Sequence, residues 1–443
     1  MTKLQFTYEW NSYDDARTEV GETTARVGIF LGDYCLTKNE DIWSKTIRNE
    51  MHVSLYPLAM WFAFSWWRLN YEVLPGNYRK IPSHDWRMSH EMAAANMGFV
   101  WPSVMFSADS ENIQIWAQAS QDNREESVRF LNGLPHVQSV PKEQFEQEIS
   151  SLIRDVLARL YEIGCPNSEL ATLWGYISED LKNPIELRKR RLEAELGFDP
   201  ESCPDELIAM AIDLEEIIGV SAFSELTGAY GEQKESRISA MQELVESVGI
   251  VGEPDDILDF SIENTEREPW EVAVSAAREL RRKVGDPLGA LDNSILHDLL
   301  GLSEAGLRGW NPGHRPKASV AGTENGRRMK FIPRKTHPIS QRFELARFVG
   351  DYTRSKKANT HPWLVSADLA TERQKFQRAF AAEFLCPINA LVNYIGDDFS
   401  ETALEDAATH FSVSEKTVDS LLMNNGYLPR NTQDSGMPYT LAS

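Results

Sequence analysis

Arg347, Phe348 and Asp351 fall at consecutive and fourth-neighbour spacing within FELARFVGDYTR, Phe343 to Arg354. Side chains four residues apart share one face of a helix, so Arg347 and Asp351 can meet as an ion pair. Arginine stays protonated and presents only donors, so it does not coordinate a cation. Phe348 neither accepts nor delivers a proton. Two readings of the pair are open. Partly buried, it needs further hydrogen bonds to offset desolvation, with Phe348 and Phe376 filling the adjacent volume. Exposed, it contributes under about 1 kcal/mol and marks no site.

Histidines that could build a metal site elsewhere are His314, His337 and His361, with Glu344, Glu372 and Glu383 nearby in sequence. None shows ligand spacing on a single element, so they are expected to be solvated, and a zinc site rebuilt on them is the alternative. His84 and His90, in HDWRMSHEM, are six residues apart and so lie on different helical faces. A structural role is expected for both. Trp61, Trp66, Trp67, Trp86 and Trp101 recur at helix and strand spacing, which predicts core rather than an aromatic binding platform.

The piece Phe343 to Arg354 resembles the catalytic helix of the ImmA/IrrE family of bacterial and phage metallopeptidases, in which Phe, two variable residues and Ala precede HExxH. Phe343, Ala346 and Gly350 match. A second piece, QRAFAAEFLCP from Gln377 to Pro387, resembles the family's later helix, E-A-N-x-F-A-A-x-L-L-M-P, at Phe380, Ala381, Ala382, Leu385 and Pro387. The flanks Ala276 to Leu302 and Glu401 to Leu428 look like its opening helix pair and closing small helices, so the resemblance spans residues 266–430.

HExxH works because two histidines on one helical face bind zinc while the glutamate polarises the bound water. Here those places hold Arg347, Phe348 and Asp351, and the family's third ligand, a glutamate, falls on Phe376. The resemblance therefore implies a retained fold with its catalysis gone, no cofactor, and a former cleft whose binding candidates are Arg347, Phe348, Asp351 and Phe376. It further implies a bacterial or phage protein that acts on a protein partner in a mobile-element, stress or anti-phage defence setting. The alternatives are an active peptidase with unusual ligands or a DNA-linked regulator. The latter would act through Ala403 to Leu428, which has the rhythm of a helix-turn-helix. Its second helix sets Glu415 and Asp419 against one Lys416, which predicts packing rather than DNA contact.

The elements that must position these residues read as an α+β chain, mostly helical. A small N-terminal α+β domain is expected over 1–122, with strands at Arg26 to Leu31, Gly98 to Phe106 and Asn112 to Gln118. The turn residues Ser107 to Ser110 join the last two as a hairpin, and the polar run Asp122 to Glu126 marks a boundary. A helical middle spans 141–250. There Phe145, Ile149, Leu152, Ile153, Val156, Leu157 and Leu160 share one face, and further helices follow at Ser168 to Leu181, Pro184 to Leu196 and Ser202 to Ile218. The C-terminal domain, 266–430, is expected to be ImmA/IrrE-like and zincin-like. Its helices stop at Gly285 and Gly301, and a long loop covers Gly309 to Arg328.

A length of 443 residues suits two or three domains. The net charge of −22 repels nucleic acid and anionic membrane at long range and suits solubility or a basic partner. The run Arg188 to Arg191 lies among glutamates and reads as a solvated helix face. Cys35, Cys165, Cys203 and Cys386 form no CxxC pair, which predicts buried thiols in a reducing cytoplasm. The start lacks a signal-peptide pattern. The longest apolar stretch, Leu55 to Trp67, falls short of the roughly 20 residues that cross a bilayer and is expected to be a buried helix.

Overall fold

Apolar and polar residues alternate from the start, with Leu4 and Phe6 buried and Gln5 and Thr7 exposed, so the chain opens as a strand. This strand, β1 (Leu4–Trp10), comes before a short helix, α1 (Glu19–Glu22), and pairs antiparallel with β2 (Thr24–Leu31), from Leu4 opposite Leu31 to Trp10 opposite Ala25. The computed structural model describes residues 2–11, 18–76, 81–120, 127–231, 234, 236–260, 268–313, 316–355 and 363–429. The boundary run Asp122 to Glu126 and the candidate ligands His314 and His361 lie outside them. The fold is mixed α+β with more helix than strand. It divides into two compact units, residues 1–211 and residues 212–434, so the helices of the expected middle region are shared between the two.

In the first unit β2 also pairs with β3 (Tyr34–Cys35) and with β6 (Met51–Ser54), which follows a small hairpin of β4 (Asn39–Asp41) and β5 (Thr46–Arg48). Next come α2 (Leu55–Phe64), α3 (Trp66–Tyr71) and α4 (His84–His90). Residues 55–63 of α2 are buried on every side, which makes it a core helix. Among the described residues no helix is long and apolar enough to cross a membrane. The expected hairpin is β7 (Ser103–Asp109) with β8 (Asn112–Gln118); it turns at Ser110, whose φ of 55° is left-handed. Two short strands follow, β9 (Val128–Phe130) beside β4 and β10 (Gln138–Pro141) beside β8.

Helix α5 (Lys142–Glu162) turns Phe145, Ile149, Leu152, Ile153, Val156 and Leu160 inward, the face its periodicity predicts. It also closes the free edge of β1: the Leu4 and Phe6 amides donate to Gln144 Oε1 at 3.1 Å and Glu148 Oε1 at 2.8 Å. An edge strand whose backbone is occupied in this way is a poor template for another strand. Helices α6 (Glu169–Asp180) and α7 (Pro184–Glu195) complete the unit. Trp61, Trp66, Trp67, Trp86 and Trp101 are all buried. His84 is exposed, whereas His90 is buried, stacked on Trp86 at 3.9 Å and within 3.1 Å of Glu72, which Arg68 holds at 2.6 Å.

The chain continues through α8 (Asp205–Ile218), α9 (Val220–Ala229) and α10 (Arg237–Glu246) to β11 (Ile250–Gly252). Then α11 (Pro269–Lys283), α12 (Asn293–Leu300) and α13 (Glu304–Arg308) precede β12 (Ser319–Asn325) and β13 (Arg328–Ile332). After α14 (Pro338–Ser355) come β14 (Leu364–Ser366), α15 (Glu372–Leu385), α16 (Ile388–Ile395), α17 (Glu401–Phe411) and α18 (Glu415–Asn424). The sheet order is β11-β13-β12-β14, all antiparallel, with β14 at one edge.

The expected loop from Gly309 to Arg328 is corrected by this sheet, since residues 319–325 form β12 between two partners. Gly322 is needed there because a Cβ would come within 2.3 Å of the Trp363 ring. Helix α12 ends at Gly301 with φ 61°, the left-handed stop its sequence predicts. Gly350 of α14 sits against Phe380 of α15, with room for no Cβ nearer than 2.8 Å from the ring. Val418, Leu421 and Leu422 of α18 are buried in the same core as Ala407 and Phe411 of α17. The apolar rhythm of this helix pair therefore serves packing.

Candidate functional site

The positions singled out in α14 lie beneath β14, and their roles follow from the needs of that strand's backbone. An edge strand leaves every second amide and carbonyl without a sheet partner, and burial makes an unpaired backbone group costly. Here side chains of α14 and α15 supply the missing partners. The Val365 amide donates to Asp351 Oδ2 at 3.1 Å, and its carbonyl accepts from Gln374 Nε2 at 2.9 Å and Gln377 Nε2 at 2.8 Å. The Trp363 carbonyl accepts from Arg373 Nη2 at 2.9 Å. The Ala367 amide donates to Gln374 Oε1 at 2.8 Å, and its carbonyl accepts from Arg347 Nη2 at 2.7 Å.

Asp351 does not pair with Arg347. Its carboxylate is gripped by Arg373 of α15, Nε to Oδ1 at 2.9 Å and Nη2 to Oδ2 at 2.6 Å. The guanidinium fork matches a carboxylate two bonds at a time, a geometry that a neighbour one turn away on the same helix does not offer here. Arg347 instead reaches along β14 to Ala367 and to Gln374 Oε1. Burial pushes the Arg347 guanidinium down to about 9, with Arg378 and Arg334 adding to the effect, so it remains charged at neutral pH. The reading of an exposed surface pair is overturned: Arg347 is 5% and Asp351 0% exposed.

Gln374 is the hub. Its Oε1 accepts from Arg347 and Ala367, while its Nε2 donates to Val365 and to Glu225 Oε2 at 2.8 Å. Glu225, buried in α9, also accepts from the Thr371 hydroxyl at 2.7 Å, and burial raises its carboxyl above the usual range despite Arg373 nearby. Arg373 completes its own set by donating to Ser221 Oγ at 3.1 Å. Among the described residues, Arg347 Nε, Ser366 Oγ and Gln377 Oε1 are the buried side-chain atoms of this region left without a hydrogen-bond partner.

The aromatic candidates are core. Phe348 is 0% exposed and meets Phe331 edge to face at 5.7 Å, and Phe376 is 3% exposed and stacks on Phe380 at 6.4 Å. As placed, none of the four candidates offers surface to a partner. His337 is exposed just before α14. Glu344 is committed to Arg334 at 3.3 Å, and Glu383 to Arg278 at 2.6 Å. Among the described residues no group of three or more His, Cys, Asp and Glu is placed to hold a metal ion.

Zinc does not fit the residues present. Arg347 would repel the ion, Phe348 and Phe376 carry no donor atom, and Asp351, the one possible ligand of the four, is neutralised by Arg373. The sequence pointed to Arg347 and Asp351 but missed Arg373, Gln374 and Glu225. Arg373, Gln374 and Gln377 stand at the same consecutive and fourth-neighbour spacing as the α14 residues, a signal that could have found them; Glu225 carries none. No protein family, curated protein or solved structure matches this chain.

Proposed function

We propose that this chain is a non-catalytic counterpart of the ImmA/IrrE metallopeptidases that acts by binding a protein partner, as a regulator or component of a bacterial or phage mobile-element, stress or defence system. One observation carries the reading. The helix that resembles the family's catalytic helix puts Asp351 into a buried ion pair with Arg373 and Arg347 onto the backbone of β14. Groups held in that way neither ligate an ion nor move a proton. A zincin-like fold would then persist as a scaffold, with the polar cluster bracing its sheet edge. Supporting residues are Gly350 and Phe380, two positions of the resemblance that pack directly on each other.

The test is elemental analysis of the full-length protein, purified without chelator and dialysed against zinc, together with a general peptidase assay. Sub-stoichiometric zinc and no cleavage are expected. Stoichiometric zinc that is lost on changing His337 to Ala, or zinc-dependent cleavage, would overturn the proposal.

A further inference from the structure

We infer that the open edge of β11 pairs with an extended segment of the protein partner, apolar at its centre and basic at both ends. The inference rests on the binding function proposed above and names the surface that would serve it.

The sheet of the 212–434 unit has two edges, β14 and β11. At β14 the Val365 amide and carbonyl turn outward, where Asp351, Gln374 and Gln377 take them up. Inward and outward positions alternate along an antiparallel ladder. The register sets Val365 opposite Val320, Val320 opposite Ile332 and Phe331 opposite Ile250. Carried across it, the alternation gives the Ile250 and Gly252 backbones to β13 and turns the Val251 amide and carbonyl away from the sheet. Among the described residues no group accepts from that amide or donates to that carbonyl. The Val251 residue is 43% exposed, and Val248, just ahead of it, 82%.

An open apolar strand edge is a template for another strand. A free amide and a free carbonyl on one residue are complemented together by the backbone of an extended chain, and the valines favour apolar side chains on it. The opening is short, because the Glu253 backbone lies against Gly301 at the end of α12, too close for a Cβ there. Glu246 and Glu253, both exposed, bracket the edge and have no ion-pair partner among the described residues. Lys330, across from Val251, is held at the Val245 carbonyl at 3.0 Å. A basic residue at each end of the incoming segment therefore answers the two carboxylates. A second copy of this chain would instead set the glutamates of one edge against those of the other, and like charges across a strand pair are unfavourable.

The experiment titrates the full-length protein by calorimetry with acetyl-Lys-Thr-Val-Thr-Val-Thr-Lys-amide. Beside it run a counterpart N-methylated on its three central residues and one with Glu for both Lys. The parent peptide is expected to bind, the N-methylated one not at all, and the Glu one about tenfold or more weaker. Hydrogen exchange across residues 248–252 should slow when the parent peptide is added. Val251→Pro removes the outward amide while leaving the bonds of Ile250 and Gly252 to β13, a place where edge strands tolerate proline. It should keep the wild-type melt and lose binding. Should it fail to fold, the double variant Glu246→Lys with Glu253→Lys carries the test and should prefer the Glu peptide. Four results would overturn the inference: no binding at millimolar parent peptide, equal binding of the N-methylated peptide, unchanged affinity in folded variants, or a dimer of the free protein that Val251→Pro abolishes. Zinc content and peptidase activity are independent of this edge, so its failure is distinguishable from failure of the proposed function.

Discussion

Arg373 holds Asp351 through both carboxylate oxygens, at 2.6 to 3.2 Å, with both side chains excluded from solvent. Removing one member of such a pair strands the other charge in a medium that solvates it poorly. Arg373→Met or Asp351→Leu alone should therefore destabilise the 212–434 unit by about 3 to 5 kcal/mol in urea unfolding. The double variant should lose much less than the two single losses combined. Additive losses would show that the pair contributes no coupling.

Glu225 gives the same cluster a pH dependence of predictable sign. Its carboxyl is raised above 4.5 in the folded state, chiefly by burial, so the fold favours the protonated form. Stability from this group is present below the unfolded value and is lost as pH rises through the raised one. Glu225→Gln should flatten stability against pH on that side, measured by thermal melts at stepped pH. Gln374→Glu should steepen it, because the Nε2 donations to Glu225 and Val365 vanish and a second carboxylate faces the first.

Gly350→Ala tests the helix crossing that the resemblance picks out. The added methyl would sit 2.8 Å from atoms of the Phe380 ring, closer than real Cβ contacts. Overpacking of this kind costs about 1 to 3 kcal/mol. Phe380→Leu in the same chain should restore part of the loss in denaturant unfolding, and an undisturbed melt of the single variant would show that α14 can shift.

Local patterns were legible where one element's own period decides the outcome. The inward face of α5, the stop at Gly301 and the buried aromatic helix α2 all follow from residues within a few turns of each other. What the sequence hid depends on distant partners. Strand β12 reads as loop because Gly322 makes sense only beneath Trp363, which arrives with the next strand of the sheet. The spacing of Arg347 and Asp351 put them on one helix, yet the outcome was set by Arg373 and Gln374 on another. Glu225 reaches the cluster from α9, far earlier in the chain, through Gln374.

In the first unit the buried chain Arg68, Glu72 and His90 predicts acid sensitivity. Burial works against charge on Glu72, but Arg68 and His90 outweigh it and hold its carboxyl down at about 2. Because the folded value lies below the unfolded 4.5, the stabilisation is present above that pH and is lost as pH falls through the folded value. Acid unfolding of the 1–211 unit, followed by near-ultraviolet circular dichroism of its buried tryptophans, should therefore steepen between about pH 4.5 and 2. Glu72→Gln should remove that steepening. It should also lower stability at neutral pH, because Arg68 Nε loses the carboxylate that accepts from it at 2.6 Å, leaving a buried guanidinium with the more exposed Asp85 at 3.0 Å as its main partner. If the variant keeps the wild-type acid limb, the proton responsible lies elsewhere.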